Sequence, residues 1–197
     1  TDVHYHVQHL STATGVELVR AAKARGVRIT AEVSPHHLAF DHTAVASTDA
    51  NFKVMPPLRE PTDRAALIEG LVDGTIDCVA TDHAPHGEEE KQGGMVGAPF
   101  GIVGIETAFQ LMYSNFVLGG VFTLKQLVDW MTVKPAALFG MESGTLDIGS
   151  QADIAIFDLA NEYEIRSEDF LSKATNTPFT GWKVKGETLY TLVDGKV

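Results

Sequence analysis

The stretch ATDHAPH at residues 80–86 gives the first indication of the fold, because it follows a short apolar run. That run, at residues 76–80, predicts a buried strand, and Pro85 keeps the next segment from continuing as a helix. Asp82 and two histidines are thereby placed at the carboxyl end of a strand, where an α/β barrel keeps its chemistry. An ordinary strand-to-loop turn capped by Asp82 would give the same local pattern, so the rest of the chain has to distinguish the two.

The composition is that of a globular protein with a sizeable core. The 197 residues are 44% hydrophobic and 21% charged, with a formal net charge of −11. This acidic balance argues against nucleic acid or an anionic membrane as a partner, since both are bound through clustered Lys and Arg. The sequence has neither an apolar run of membrane-spanning length nor a signal-peptide pattern, which favours a cytoplasmic location. The single cysteine, Cys78, is expected to be a small buried residue.

Two strand-helix-strand units lead to the opening stretch. Residues 3–10 predict a strand, residues 14–25 a helix and residues 27–33 a second strand. A further helix over residues 61–72 precedes the strand at 76–80. Alternating strands and helices of this kind favour parallel pairing with crossover connections.

The composition changes towards the carboxyl end. Helical spacing continues between residues 105 and 139, whereas residues 144–158 and 182–193 predict strands separated by turns. The sequence therefore predicts two domains in the α/β class. Residues 1–143 are expected to form the carboxyl-terminal portion of a barrel, and residues 144–197 part of a small β domain.

Three successive predicted strands end in side chains that can bind metal. The first ends at His9, the second at His36 and His37, and the third at Asp82 with His83 and His86. In a parallel sheet with crossovers these ends share one edge. Imidazole and carboxylate are ligands of zinc in hydrolytic sites, and metal-bound water can lose a proton near neutral pH. The pattern therefore predicts a metal-dependent hydrolytic site at this edge.

The same side chains also have structural explanations. His36 and His37 could cap the turn that follows Pro35, and His6, inside the first strand, could simply pack there. Arg59 could bind a carboxylate bidentately or fix the long loop through a salt bridge. The residues alone leave these alternatives open.

Four motifs, in order along the chain, resemble the carboxyl-terminal half of the bacterial type I dihydroorotases, which belong to the amidohydrolase superfamily. Two further segments near the end of the chain resemble the same family. Hydantoinases and allantoinases share the Asp-His pair after the last strand, but His86 and the Pro-Phe-Gly run at 99–101 are more similar to dihydroorotases. The motifs are TAEVSPHHL at 30–38, MPPLR at 55–59, DCVATDHAPH at 77–86 and APFGIVGIET at 98–107, and the later segments are GTL at 144–146 and NTPF at 176–179.

The resemblance implies a site at the mouth of a (β/α)₈ TIM-like barrel with two zinc ions bridged by hydroxide. His9 matches a ligand of the second ion. Asp82 matches a ligand of the first ion that also acts as general base and acid. His86, Phe100 and Gly101 match contacts to the substrate. The implied reaction is the reversible interconversion of dihydroorotate and N-carbamoyl-L-aspartate in pyrimidine biosynthesis.

The chain departs from the family pattern in two ways. Met55 stands where the family usually has an asparagine that contacts substrate, and a thioether cannot donate that hydrogen bond. The remaining family ligands, from the first, fourth and fifth strands, are absent. The chain also opens without Met, in a predicted strand that has no earlier partner. We therefore expect a piece of a longer protein that is inactive alone.

Two alternatives remain open. One is a hydantoinase or allantoinase relative. The other is a non-catalytic dihydroorotase-like subunit that supports aspartate transcarbamoylase, which Met55 favours and which His9, Asp82 and His86 disfavour. A homodimer is also compatible with the sequence.

Overall fold

The predicted strand-helix-strand units form a parallel sheet in a computed structural model that describes residues 2–45 and 48–197. The sheet has the order β1 (Tyr5–Val7), β2 (Ile29–Val33) and β3 (Cys78–Val79). Both neighbouring pairs are parallel, with Tyr5 opposite Ile29 and Glu32 opposite Cys78. The predicted parallel pairing is therefore confirmed, although β1 and β3 are shorter than the strands predicted over residues 3–10 and 76–80.

Three helices follow these strands in the same unit: α1 (Ala13–Ala24), α2 (Pro35–Ala39) and α3 (Pro61–Val72). Helix α1 begins where the Thr12 side chain accepts a hydrogen bond from the Gly15 amide at 3.0 Å, a normal N-cap. The Asp63 carboxylate accepts from the Ala13 amide at 2.7 Å and from the Glu60 amide at 3.2 Å. One side chain thus binds free amides at the start of both α1 and α3.

The second predicted strand leads directly into a helix rather than a loop. Pro35 occupies the first turn of α2, where its missing N–H costs nothing. His36 and His37 therefore lie inside α2 and are buried, so they do not cap a turn after Pro35. Short 3₁₀ turns at His42–Ala44 and Ala50–Phe52 interrupt the loop that follows, and two short helices, α4 (Glu88–Lys91) and α5 (Gly94–Gly97), come after β3.

The described chain divides into two compact units. The first consists of Thr1–Ala108 and Arg166–Gly181, and the second of Phe109–Ile165 and Trp182–Val197. This division interleaves the two halves of the sequence, and the domain boundary between residues 143 and 144 stays a prediction. None of the described helices combines the length and apolar character that crossing a bilayer requires.

The second unit contains helices and an antiparallel strand pair. Helix α6 (Ala108–Met112) continues as a π-helical turn at Tyr113–Val117, and α7 (Leu124–Met131) and α8 (Val133–Phe139) follow. Strand β4 (Ile154–Glu164) pairs antiparallel with β5 (Lys183–Leu192). The strand predicted over residues 144–158 is wrong in its bounds, because residues 144–153 form no strand and β4 begins only at Ile154. The Phe109 and Phe157 rings stack in this unit, with their centres 3.8 Å apart.

Candidate active site

The carboxyl ends of β1 and β3 bring His9 and Asp82 together. His9 Nε2 lies 4.0 Å from Asp82 Oδ1, and both side chains are about three-quarters buried, at 29% and 23% exposed. Both residues have positive φ angles, 43° and 50°, so the chain turns sharply at each strand end. Histidine and aspartate are among the residues that tolerate this left-handed conformation. The structure thus places the His9 imidazole beside the Asp82 carboxylate, as the shared strand edge predicts.

A buried carboxylate from β2 lies behind this pair. Glu32 Oε2 is 3.0 Å from His6 Nε2, and Glu32 Oε1 is 3.3 Å from His9 Nδ1. His6 Nδ1 in turn lies 2.7 Å from Thr30 Oγ1. Glu32 was not predicted as a site residue, although a single acidic residue among buried strand positions is a usable signal because burying a carboxylate requires partners.

Burial raises the pKa of the Asp82 carboxyl, the Glu32 charge adds to this effect, and His9 opposes it. A carboxyl with a raised pKa holds a proton more readily than an exposed aspartate does. This property suits a group that takes up a proton and later returns it.

The two histidines of α2 belong to a linear chain of hydrogen bonds that runs through Ser34 to the Pro56 carbonyl. His37 Nε2 donates to the Pro56 carbonyl at 2.8 Å, because a carbonyl can only accept. His37 Nδ1 then accepts from the Ser34 hydroxyl at 2.6 Å, and the Ser34 oxygen accepts from His36 Nε2 at 2.9 Å. Burial lowers the pKa of His37 to about 4, with His9 and Arg59 adding to the effect and the Pro56 contact opposing it. Burial likewise holds the pKa of His36 well below its ordinary value. These histidines are therefore neutral parts of the scaffold at pH 7.

This chain leads to a prediction about acid stability. Below pH 6.5 the unfolded chain protonates His37 while the folded protein does not, so stability falls as pH falls from 6.5 towards about 4. The lowered pKa of His37 therefore reduces the free energy of unfolding by about 3 kcal/mol at pH 4. Between pH 7 and pH 4, the free energy of unfolding should fall by about 3 kcal/mol more in wild type than in His37→Gln. The Gln amide can still donate to the Pro56 carbonyl, so the variant keeps that hydrogen bond. Urea unfolding at several pH values measures this, and the exposed His42→Gln provides the control. Parallel pH dependences in wild type and His37→Gln would contradict the prediction.

His86, Phe100 and Gly101, the predicted substrate contacts, form one hydrogen-bonded wall. His86 Nε2 donates to the Phe100 carbonyl at 2.9 Å, and the His86 amide donates to Asn176 Oδ1 at 3.0 Å. The Gly101 carbonyl accepts from Lys91 Nζ at 2.8 Å and from Asn176 Nδ2 at 3.1 Å. Asn176 thus joins His86 to Gly101 through two hydrogen bonds, a role that was not predicted from the sequence.

Met55 belongs to a segment that borders this wall. The Gly101 amide donates to the Lys53 carbonyl at 2.9 Å, and Lys53 Nζ lies 4.6 Å from the centre of the Phe100 ring. Met55 itself is 52% exposed. Its side chain is therefore accessible to a ligand, but only as an apolar surface.

His83, which follows Asp82 directly, is held by the backbone. Its Nδ1 accepts from the Gly104 amide at 3.2 Å. In the neutral ring the proton then resides on Nε2. His83 thus fixes the loop after β3 against the segment at residues 102–105.

The donors present fit zinc in type. His9 and Asp82 supply an imidazole nitrogen and a carboxylate oxygen, which are common zinc ligands, and the two atoms that face each other are His9 Nε2 and Asp82 Oδ1. A second metal-competent group among the described residues comprises His6, Glu32 and Cys78, with ligand atoms within 4.8 Å of one another. Both ring nitrogens of His6 already have partners, so the His9 and Asp82 pair fits a metal better.

Comparison with known proteins defines the class. The model of the amidohydrolase family matches residues 2–197, and the chain belongs to this family. Within it, the chain is 60% identical over 195 residues to the dihydroorotase of Enterococcus faecalis, a match that covers 99% of this chain and 46% of that protein. It is 57% identical over 192 residues to the dihydroorotase of Bacillus caldolyticus, covering 98% of this chain and 45% of that protein. The chain thus spans somewhat less than half the length of these relatives, and the predicted resemblance is confirmed.

Two solved structures with a similar fold carry hydantoinase or dihydropyrimidinase names. L-hydantoinase (dihydropyrimidinase) from Arthrobacter aurescens superimposes with a TM-score of 0.93 at 34% identity, covering 100% of this chain and 45% of that one. Dihydropyrimidinase from Brevibacillus agri gives a TM-score of 0.91 at 31% identity, covering 99% and 44%. The mixed α/β fold is therefore that of the amidohydrolase family.

Proposed function

We propose that this chain is the carboxyl-terminal part of a dihydroorotase. Residues 1–143 would supply the last three strand-helix units of a (β/α)₈ barrel, and residues 144–197 part of a small β domain. The observation that carries the proposal is the 60% identity to a dihydroorotase over 99% of the chain. The approach of His9 to Asp82 at the shared strand edge supports it independently.

The proposed reaction is the reversible opening of the dihydroorotate ring to N-carbamoyl-L-aspartate. Asp82 would take a proton from the attacking oxygen nucleophile and return it to the departing amide nitrogen, a role that suits its raised pKa. His86 and the Phe100–Gly101 backbone would orient the ring. Met55 would contact the substrate without donating a hydrogen bond.

Zinc is the proposed cofactor, with His9 and Asp82 as the ligands that this chain supplies. Bound zinc would lower the pKa of a water molecule and polarise the amide carbonyl. Two protein ligands cannot hold a dinuclear centre, because each zinc ion in a hydrolytic site usually takes about three. The chain alone should therefore be inactive, and the other ligands would come from the rest of the full-length protein.

A hydantoinase activity is the second candidate, because the solved structures with TM-scores of 0.93 and 0.91 carry hydantoinase or dihydropyrimidinase names. Their identities of 34% and 31% are well below the 60% to a dihydroorotase. This difference favours dihydroorotate as the substrate. Pairing with itself or with aspartate transcarbamoylase stays a prediction.

One set of assays tests these proposals. Purified zinc-loaded full-length protein should open dihydroorotate at least about 100-fold faster, as kcat/KM, than hydantoin or allantoin, a difference of about 3 kcal/mol in transition-state binding. The 197-residue chain alone should show no turnover. Faster hydrolysis of hydantoin would replace the proposed function by the second candidate. Zinc-dependent turnover by the chain alone would contradict the two-ligand argument.

A further inference from the structure

A carboxylate from the middle strand faces the side of His9 that points away from Asp82. Glu32 Oε1 lies 3.3 Å from His9 Nδ1, whereas His9 Nε2 lies on the other side, 4.0 Å from Asp82. His9 Nδ1 is buried and has no well-formed hydrogen bond to the described part of the chain. A buried ring N–H without a partner is costly, so the carboxylate at 3.3 Å is its natural acceptor.

The Glu32 carboxylate is itself held in place by His6. Its Oε2 atom lies 3.0 Å from His6 Nε2, and His6 Nδ1 lies 2.7 Å from Thr30 Oγ1. The carboxylate accepts, so the proton of His6 resides on Nε2 and its Nδ1 accepts from the Thr30 hydroxyl. Glu32 is 7% exposed, which leaves it little freedom to turn towards water. The series Thr30, His6, Glu32 thus ends at the ring of His9.

We propose that Glu32 is a positioning residue whose negative charge holds the proton of His9 on Nδ1 and makes Nε2, which faces the metal position, a stronger ligand. This inference rests on the proposed function, because it takes His9 as a zinc ligand. A carboxylate behind a ligating histidine fixes the ring orientation and increases its basicity, and loss of such a partner typically costs 10-fold to 100-fold in metal affinity. Glu32 would act only through His9.

The decisive variant is Glu32→Gln in the full-length protein, which removes the charge but keeps the shape. The introduced side-chain amide can donate to His6 Nε2 if the His6 proton moves to Nδ1 and is donated to Thr30 Oγ1. Its oxygen then still accepts from His9 Nδ1, so the network stays satisfied and only the charge behind His9 is lost. The matched control is Asp77→Asn. Asp77 is another partly buried carboxylate, which accepts from the Ala31 amide at 2.8 Å and from Lys23 Nζ at 2.7 Å before β3 begins.

The readout is zinc affinity, measured by competition with a chromogenic chelator, alongside urea unfolding of the metal-free protein. We expect Glu32→Gln to weaken zinc binding 10-fold to 100-fold, and Asp77→Asn to change it less than 3-fold. A purely structural role for Glu32 would instead shift the unfolding of the metal-free protein and leave zinc affinity unchanged. Zinc affinity of Glu32→Gln within 3-fold of wild type would overturn the inference while leaving the proposed function intact. Wild-type protein that binds no zinc would overturn both.

A second measurement needs no variant. In zinc-loaded wild-type protein with ¹⁵N-labelled histidine, long-range ¹H–¹⁵N spectra report which ring nitrogen carries the proton. We expect His9 to be protonated on Nδ1 and to bind zinc through Nε2. The opposite assignment would overturn the inference even if Glu32→Gln failed to fold.

Discussion

Asp82→Asn in the full-length protein is expected to lower kcat for dihydroorotate ring opening by about 10³-fold, within the range for loss of a general acid-base group. Asparagine has nearly the same shape but cannot take up the proton that Asp82 is proposed to transfer. It also tolerates the left-handed backbone at φ 50°, so the turn after β3 should persist. The loss should therefore be chemical rather than structural.

Steady-state kinetics and zinc content together test this expectation. Asp129→Asn is the control, because Asp129 pairs with Lys125 on the surface of α7, where an exposed ion pair contributes little. It should retain wild-type kcat. If Asp82→Asn kept more than a tenth of wild-type kcat at full zinc occupancy, Asp82 would not be the acid-base group.

The second large effect is expected at Gly101, where a side chain has no space. A Cβ atom on Gly101 would overlap the Ala84 Cβ, and φ is 117°, a conformation that L-residues rarely adopt. Overpacking and backbone strain each cost on the order of 1–3 kcal/mol. We expect Gly101→Ala to reduce the free energy of unfolding by about 4 kcal/mol and to raise KM, because the wall that carries His86 and Phe100 must move.

Urea unfolding measures this change against Gly97→Ala, since a Cβ at Gly97 would meet nothing within 4 Å. The control should lie within about 0.5 kcal/mol of wild type. Combining Gly101→Ala with Ala84→Gly removes the direct overlap and should recover part of the loss, while the backbone strain persists. A Gly101→Ala protein as stable as wild type would show that the wall adapts freely.

The parallel sheet and its helices could be predicted because their signals are local. Thr12 caps α1, Pro61 opens α3 and Thr123 caps α7 through a capping box with Gln126. The approach of His9 to Asp82 followed from the rule that parallel strand ends share an edge. These predictions required no knowledge of side-chain packing.

Other parts of the site depend on distant partners and could not be predicted. Asn176 reaches His86 across 90 residues of sequence, and nothing near either residue indicates the contact. The neutral state of His36 and His37 follows from their burial in α2, which the motif alone does not specify. The start of β4 at Ile154 was missed because apolar alternation begins earlier than the pairing with β5.

The shared carboxylate of Asp63 has a consequence for how the first unit comes apart. Helices α1 and α3 are joined near their starts through Asp63 and the Ala13 amide, and near their ends through Arg20 and Asp73, 2.6 Å apart. Fraying at the start of α3 would remove Asp63 from the Ala13 amide of α1 as well as from the Glu60 amide, and fraying at its end would break the Arg20–Asp73 ion pair. The two helices should therefore open as one cooperative segment, with a common free energy of hydrogen exchange. The two helices that support the strand ends would thus protect their amides together or lose that protection together.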